Sequence, residues 1–292
     1  MKKFMGVFVF MDHKFLFLDS YDRLNLHYQR KISVMLKPRQ TQDPLNLEEI
    51  KIMTKSCRIA ADTLNYLTKY IKAGITTNDI DEMANDYMKT QGAISACLNY
   101  HGYPKYTCIS VNDMICHGVP DNTVLKDGDI LNVDVTALYK GFFGDTSRMY
   151  KIGKVSAEAE KICLVAEQAR MTGIESITPN GFTGDIGFEV NKYVTRQGYT
   201  TVKEIGGHGI GRIFHTDPFI PSIGKKGKGE RLKPFYCITV EPMVNQGEED
   251  IEEMDIPGST VKAYKTTDGL LSAQYEHTVL ITDKGYEILT LS

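Results

Sequence analysis

The sequence contains no tryptophan among its 292 residues, so any aromatic wall in this protein must come from tyrosine or phenylalanine. No two of its six cysteines stand at the C-x-x-C spacing of a zinc knuckle or a thioredoxin-like motif. Cys57, Cys97, Cys108, Cys116, Cys163 and Cys237 therefore read as reduced thiols of a cytoplasmic protein. A long apolar run is missing too. Lys2-Lys3 followed by Phe4 to Met11 starts like a signal peptide, but Asp12, His13 and Lys14 interrupt it before an apolar core forms, so neither export nor a membrane span is expected. Large net charge is also lacking: a formal charge of -3 gives no overall attraction to DNA or to an anionic membrane, and phosphate binding would need a local basic patch.

What is present is enough apolar material, 42% of residues, to bury one large core. Residues 1–45 read as an N-terminal extension of unread role that ends through Lys37-Pro38-Arg39 and Asp43-Pro44. It packs on the main domain, binds a partner, or reflects a start codon set too early. From residue 46 to 292 the pattern is that of one catalytic domain. Asn46 with Glu49 makes a capping-box start for a helix running to about Gly74, a second helix follows Thr77-Asn78 to about Gly92, and a third spans Ala157 to Ser176. Strands are expected over 130–138, 142–152, 235–241 and 272–282. Helices and strands do not alternate strictly and several strands look hairpin-connected, so the class is α+β, with a mainly antiparallel sheet and helices on one face.

Asp134 sits among the β-branched residues of Ile130 to Val135, where an unpaired carboxylate is costly to bury. Asp145 lies in the next strand. A hairpin with Tyr139-Lys140 as its loop sets the two aspartates opposite each other, an arrangement that repels unless a cation lies between them. An odd loop length would send them to opposite faces, and Asp145 after Gly144 also fits a turn cap. Glu241 at the end of Cys237 to Val240, and Glu276 inside Ala273 to Leu280, are two more strand carboxylates, each of which alone would be read as solvent-facing. Four such residues together favour a shared site. His208, set in a frame of glycines from Gly206 to Gly211 that lets backbone approach a ligand, and His215 after Phe214 fit the same picture.

Six stretches in order, Cys116 to Pro120, Asn132 to Val135, Gly144 to Ser147, Gly207 to His215, Glu241 to Asn245 and Leu271 to Thr278, resemble the type I methionine aminopeptidases. The resemblance covers nearly everything after residue 46 and implies the pita-bread fold, a curved mainly antiparallel sheet covered by helices. It implies metal-dependent removal of an initiator methionine that is followed by a small residue. By position it implies five metal ligands: Asp145 and Glu276 bridging two divalent ions, Asp134 completing the first site, His208 and Glu241 the second. The ligand set suits Co, Mn, Fe or Zn. Two such ions lower the pKa of a bridging water.

His117, His215 and Glu241 take the catalytic roles in that resemblance: hydrogen bonds to the scissile amide and the oxyanion, and a proton shuttle. Cys97, Tyr100, Tyr103, Cys108 and Phe214 form its methionine pocket, and Asn112, Met114 and Ser272 match a monovalent-cation site of some relatives. The implied partners are nascent polypeptide N-termini, with the ribosome a candidate, for a monomeric enzyme.

The sequence departs from the family pattern at Ser259, where relatives often place an aromatic that walls the pocket. It departs again in the acidic stretch Glu248 to Glu253, and at Phe235, where a turn glycine is common. The short gap from His215 to Glu241 excludes the helical insertion of type II relatives. Two rivals stay open: a proline-specific peptidase of the same fold, and a catalytically dead relative that binds RNA through the basic loop Lys225 to Arg231.

Overall fold

Asn46 accepts hydrogen bonds from the backbone nitrogens of Glu48 and Glu49, while the Glu49 carboxylate returns one to the Asn46 nitrogen, so the expected capping box starts helix α1 (Leu47–Leu67). The computed structural model describes residues 8–11, 14–17 and 42–291. The chain divides into two units after Gln40. In the first, Phe8–Met11 and Lys14–Phe17 pair antiparallel, with Phe8 opposite Phe17. The apolar residues on either side of Asp12 and His13 are thus two short strands; of the rest of the extension only residues 42–45 are described, and they belong to the second unit, with Leu45 buried.

In the second unit α1 ends at Leu67, short of the expected Gly74, because i to i+3 bonds such as Tyr70 N to Leu67 O tighten the chain into turns. Helix α2 (Thr77–Thr90) is capped by Thr76, and α3 (Ala157–Glu175) by Ser156. A fourth helix, α4 (Thr183–Arg196), was not foreseen. Its N-cap position is Phe182 and its sequence carries two internal glycines, so the usual cap and propensity signals are weak. No helix of the described residues is long and apolar enough to cross a membrane.

All strand pairings among the described residues are antiparallel, but they divide into four sheets in this unit rather than one continuous sheet. The longest pair is β1 (Ile130–Tyr139) with β2 (Phe142–Lys151). Its loop is Lys140-Gly141, both at positive φ as a tight hairpin turn requires, and not Tyr139-Lys140. The register therefore moves by two: Asp134 faces Ser147, and Asp145 faces Thr136. A shift of two keeps every side chain on its face, so the two aspartates remain on one side as diagonal neighbours.

Alternation along β1 separates structure from site. Leu131, Val133, Val135 and Ala137 are all buried in one apolar cluster with Ile59, Leu64 and Ile80 of α1 and α2. Asn132, Asp134 and Thr136 take the opposite side. Helices α3 and α4 cover a second part of the core that includes Ile238, Val240, Val244 and Val279. The first two belong to β4 (Cys237–Val240), which pairs with β3 (Gly207–Ile210) and with β7 (His277–Ile281), while β5 (Met243–Asn245) pairs with β6 (Ser272–Gln274) in a different sheet. The strand expected over 272–282 is thus two strands, and the chain changes sheet at Tyr275-Glu276 and, on the neighbouring strand, at Glu241-Pro242. Between His215 and Glu241 the described residues hold no helix.

Gly144 lets α1 reach β2: a Cβ there would overlap backbone atoms of Ser56 and Cys57. Ser56 fixes this approach with hydrogen bonds from its hydroxyl to the carbonyls of Ala137 and Phe142, both 2.9 Å. Asp145 consequently lies inside a strand, not in a turn. Gly144→Ala is expected to lower the unfolding free energy by about 1–3 kcal/mol through this overlap, read from the denaturant midpoint. An unchanged midpoint would show that the helix is not held at this distance.

Candidate metal centre

Two kinks and two strands deliver the acidic groups. Glu241 and Glu276 both lie where the chain leaves one sheet for another, outside the regular strands, so the expectation of two strand carboxylates is corrected. The break in period-2 alternation turns both side chains into the same cavity as Asp134 and Asp145. His208 enters from β3. Ligand atoms of Asp145, His208 and Glu276 lie within 4.8 Å of one another, and His208 Nε2 is 3.8 Å from Asp145 Oδ2 and 3.6 Å from Glu241 Oε1.

Hydrogen bonds fix which atoms remain available. His208 Nδ1 donates to the Gly209 carbonyl at 3.0 Å, which leaves the Nε2 lone pair facing the carboxylates. Asp145 Oδ1 accepts from the Thr136 hydroxyl, Glu241 Oε1 accepts from that of Thr239, and Glu241 Oε2 accepts from the Gln274 amide. Asp134 Oδ1 and Glu276 Oε1 are buried without a hydrogen-bond partner. Lost hydration, followed by repulsion among neighbouring acidic groups, pushes Asp145 and Glu276 well above the carboxylate range. Lost hydration likewise raises Asp134, and lifts Glu241 to about 7. It depresses His208 to about 4, so the imidazole is neutral at pH 7. A cluster of buried oxygen atoms with free lone pairs, beside a neutral imidazole, fits divalent cations of the borderline type.

The glycines on either side of His208 serve packing. A Cβ on Gly207 would meet the Thr239 carbonyl and one on Gly209 that of Asp217, so these two permit close approach of strands, while Gly206 of the same frame lines the cavity.

The same cavity, about 250 Å³, is lined by Cys97, Tyr100, Tyr103, Cys108 and Phe214 at its apolar end, and by His117 and His215. Such a volume lies below the roughly 300–1,000 Å³ of pockets for drug-sized ligands, which suits one side chain and a short backbone. Phe214 stacks on Phe143 at 5.4 Å and tilts against Tyr100 at 4.7 Å. Tyr103 is anchored by its hydroxyl to the Gly118 carbonyl at 2.9 Å. His117 sits at φ 55, a left-handed conformation unusual for a side chain of its size, with Nδ1 2.9 Å from the Lys262 carbonyl. His215 stands at the exposed mouth, its ring centroid 4.2 Å from His208 and its Nδ1 2.9 Å from the Tyr100 hydroxyl.

Sequence reasoning missed Thr136, Ile205 and Val261 in the lining, and the Thr239 and Gln274 clamp on Glu241. Thr239 precedes Glu241 by two, the one spacing that could have signalled it. Ser259 does not line the cavity. Its hydroxyl donates to the His101 carbonyl and accepts from Val261 N, so it shapes the loop from which Val261 reaches in. The acidic stretch is partly paired locally: Lys265 pairs with Glu252, Lys262 with Glu253, and Lys203 with Glu249. Lys226 of the basic loop pairs with Glu189 of α4 at 2.7 Å. The Asn112 carbonyl accepts from Ser272 N at 2.9 Å, so those two segments of the sequence-predicted cation site adjoin.

The profile of Metallopeptidase family M24 matches residues 51–283. This chain belongs to that family. The M24 chain is 44% identical over 246 residues to the methionine aminopeptidase of Escherichia coli (strain K12), covering 84% of this chain and 92% of that one. It is likewise 44% identical over 248 residues to methionine aminopeptidase A of Synechocystis, covering 85% and 96%. Among solved structures, the methionine aminopeptidase of Rickettsia prowazekii superposes with a TM-score of 0.83 at 39% identity, covering 86% of this chain and all of the other. A Xaa-Pro dipeptidase of Bacillus anthracis, at 23% identity and a TM-score of 0.67 over 85% and 62%, shares the fold. The α+β pita-bread architecture expected from the sequence is the one these M24 structures have, and the chain is a metallopeptidase.

Glu241 gives a sign to the pH dependence. Its folded pKa, about 7, lies above the ordinary 4.5, so in metal-free protein its contribution to stability is complete below about pH 4.5 and is lost as pH rises through 7. The loss is on the order of 3 kcal/mol for this group. Metal-free protein is therefore expected to melt at lower temperature at pH 8 than at pH 5, and divalent metal to reverse the trend. A midpoint that rises with pH after metal removal would contradict the buried cluster.

Proposed function

We propose that this M24 chain is a dinuclear methionine aminopeptidase that removes initiator methionine from newly made polypeptides. The observation that carries the reading is a single cavity whose one end gathers four buried or nearly buried carboxylates with the neutral His208, and whose other end is apolar and sulfur-bearing. Asp134, Asp145, His208, Glu241 and Glu276 would hold the two ions. Bound there, the ions would make a water acidic enough to attack near neutral pH and would polarise the substrate carbonyl.

The chain's own residues orient the peptide. Cys97, Tyr100, Tyr103, Cys108 and Phe214 would enclose the methionine side chain, where polarizable sulfur and aromatic edges favour a thioether. With Nδ1 donating to the Lys262 carbonyl, His117 offers the Nε2 lone pair to the scissile N–H. His215 has the complementary arrangement when the Tyr100 hydroxyl donates to its Nδ1: Nε2–H then points a donor at the developing oxyanion. Glu241, bonded to Thr239 and Gln274 and close to His208, is positioned to pass a proton from water to the leaving amine. A small second residue is preferred because a bulky side chain would clash beyond the metal side of the cavity. Asn112 and Ser272 are the proposed neighbours of a monovalent cation. The absence of a helical insertion after His215 favours the type I subclass.

Asp145→Asn and His208→Ala are each expected to lower methionine release by at least about 10³-fold and to weaken metal uptake. His117→Ala is expected to keep its metals and lose about 10²–10⁴-fold in kcat. Metal analysis beside kinetics checks all three, and metal loss in His117→Ala would contradict its role. Release of methionine from Met-Ala-Ser is expected to far exceed cleavage of any Xaa-Pro peptide. The reverse preference would replace this reading with the proline-specific one.

A further inference from the structure

Behind the metal cluster lies a second cavity of about 310 Å³, bounded by α1, α3, β2, β7 and the chain near Thr290. Arg148 alternates with Asp145 along β2 and His277 follows Glu276, so both point away from the metal side. Arg170 of α3 lines this cavity with Arg148, Ser147, Glu167, Tyr275 and His277. Its side chain is decisive. Arg170 is 8% exposed, and its guanidinium has no hydrogen bond or ion pair among the described residues, with Nε buried and unpartnered.

A guanidinium withdrawn from water and left without an acceptor is costly, and a second one nearby adds repulsion. The second is Arg148, half-buried, whose Nη1 donates to the Asn65 amide oxygen at 2.9 Å. The Tyr275 ring lies 5.4 Å from the Arg170 guanidinium carbon and orients it without neutralising it. Glu167, one turn earlier on α3, is exposed and not within ion-pair distance of Arg170. The lining thus sets two guanidiniums against one solvated carboxylate. Planar guanidinium forks recognise tetrahedral or planar oxyanions.

We infer that this cavity is a binding site for a small oxyanion, phosphate or a carboxylate of similar size, held between Arg148 and Arg170. None of these residues is assigned to the metal centre, so the inference stands or falls apart from the proposed activity.

Thermal unfolding of the metal-loaded protein with added inorganic phosphate tests it, with chloride at matched ionic strength as reference and acetate as a parallel arm. A saturable rise in midpoint is expected for wild type, with an apparent affinity at least tenfold weaker in Arg170→Met and in Arg148→Gln, and tighter in Glu167→Gln. Phosphate on the metals would act equally in every variant, so the difference reports this cavity. A response to acetate but not phosphate assigns the carboxylate. Crystals soaked in selenate should show an anomalous peak between the two guanidiniums. Equal responses in wild type and all three variants, or a peak confined to the metal centre, would overturn the site. If Arg170→Met fails to fold, Arg148→Gln and Glu167→Gln carry the test, and their methionine release shows that the fold survives.

Discussion

Mutual repulsion of buried carboxylates is the constraint around which this structure is organised. Asp134, Asp145 and Glu276 are withdrawn from water, two of their oxygens have no partner, and Glu241 joins them with a pKa lifted to about 7. No lysine or arginine forms an ion pair with any of them among the described residues, so nothing in the described protein supplies the missing positive charge. Divalent cations would remove the conflict and turn a destabilising cluster into a binding site, at the cost of making stability and metal occupancy inseparable.

The scaffold meets that constraint with ordinary means. Alternation along β1 puts aliphatic residues under α1 and α2 and leaves the opposite face for Asp134 and Thr136. Gly144 and Ser56 set the distance between α1 and β2, holding Asp145 in a rigid strand. Two chain kinks, at Glu241-Pro242 and Tyr275-Glu276, do what regular strands cannot: they bring side chains from neighbouring strands into a cavity at the seam between sheets. Rigid elements under each of these side chains limit the rearrangement that binding of ions would need.

Much of this was legible in the sequence, for identifiable reasons. An aspartate between valines in a strand, and four strand-edge carboxylates in one chain, are costly enough to signal compensation. Capping at Asn46 and the antiparallel α+β class follow from local chemistry. The register of the β1–β2 hairpin did not, because turn type depends on which two residues take positive φ, and Lys140-Gly141 competed with Tyr139-Lys140. The kinks at Glu241 and Glu276 were hidden because strand propensity runs straight through them. Helix α4 was missed for want of a polar cap, and the Val261 wall arrives through a loop whose shape Ser259 sets by hydrogen bonds invisible to pattern reading. The family resemblance named the same residues that the fold later gathered into one cavity, although the glycines beside His208 proved to serve strand packing.

The most direct test is an anomalous difference map from crystals grown with Mn²⁺. Two peaks are expected, one between Asp134, Asp145 and Glu276, the other between Asp145, Glu276, His208 and Glu241. Absence of density at both positions in protein saturated with the ion would contradict the claim that these carboxylates are buried in order to hold metal.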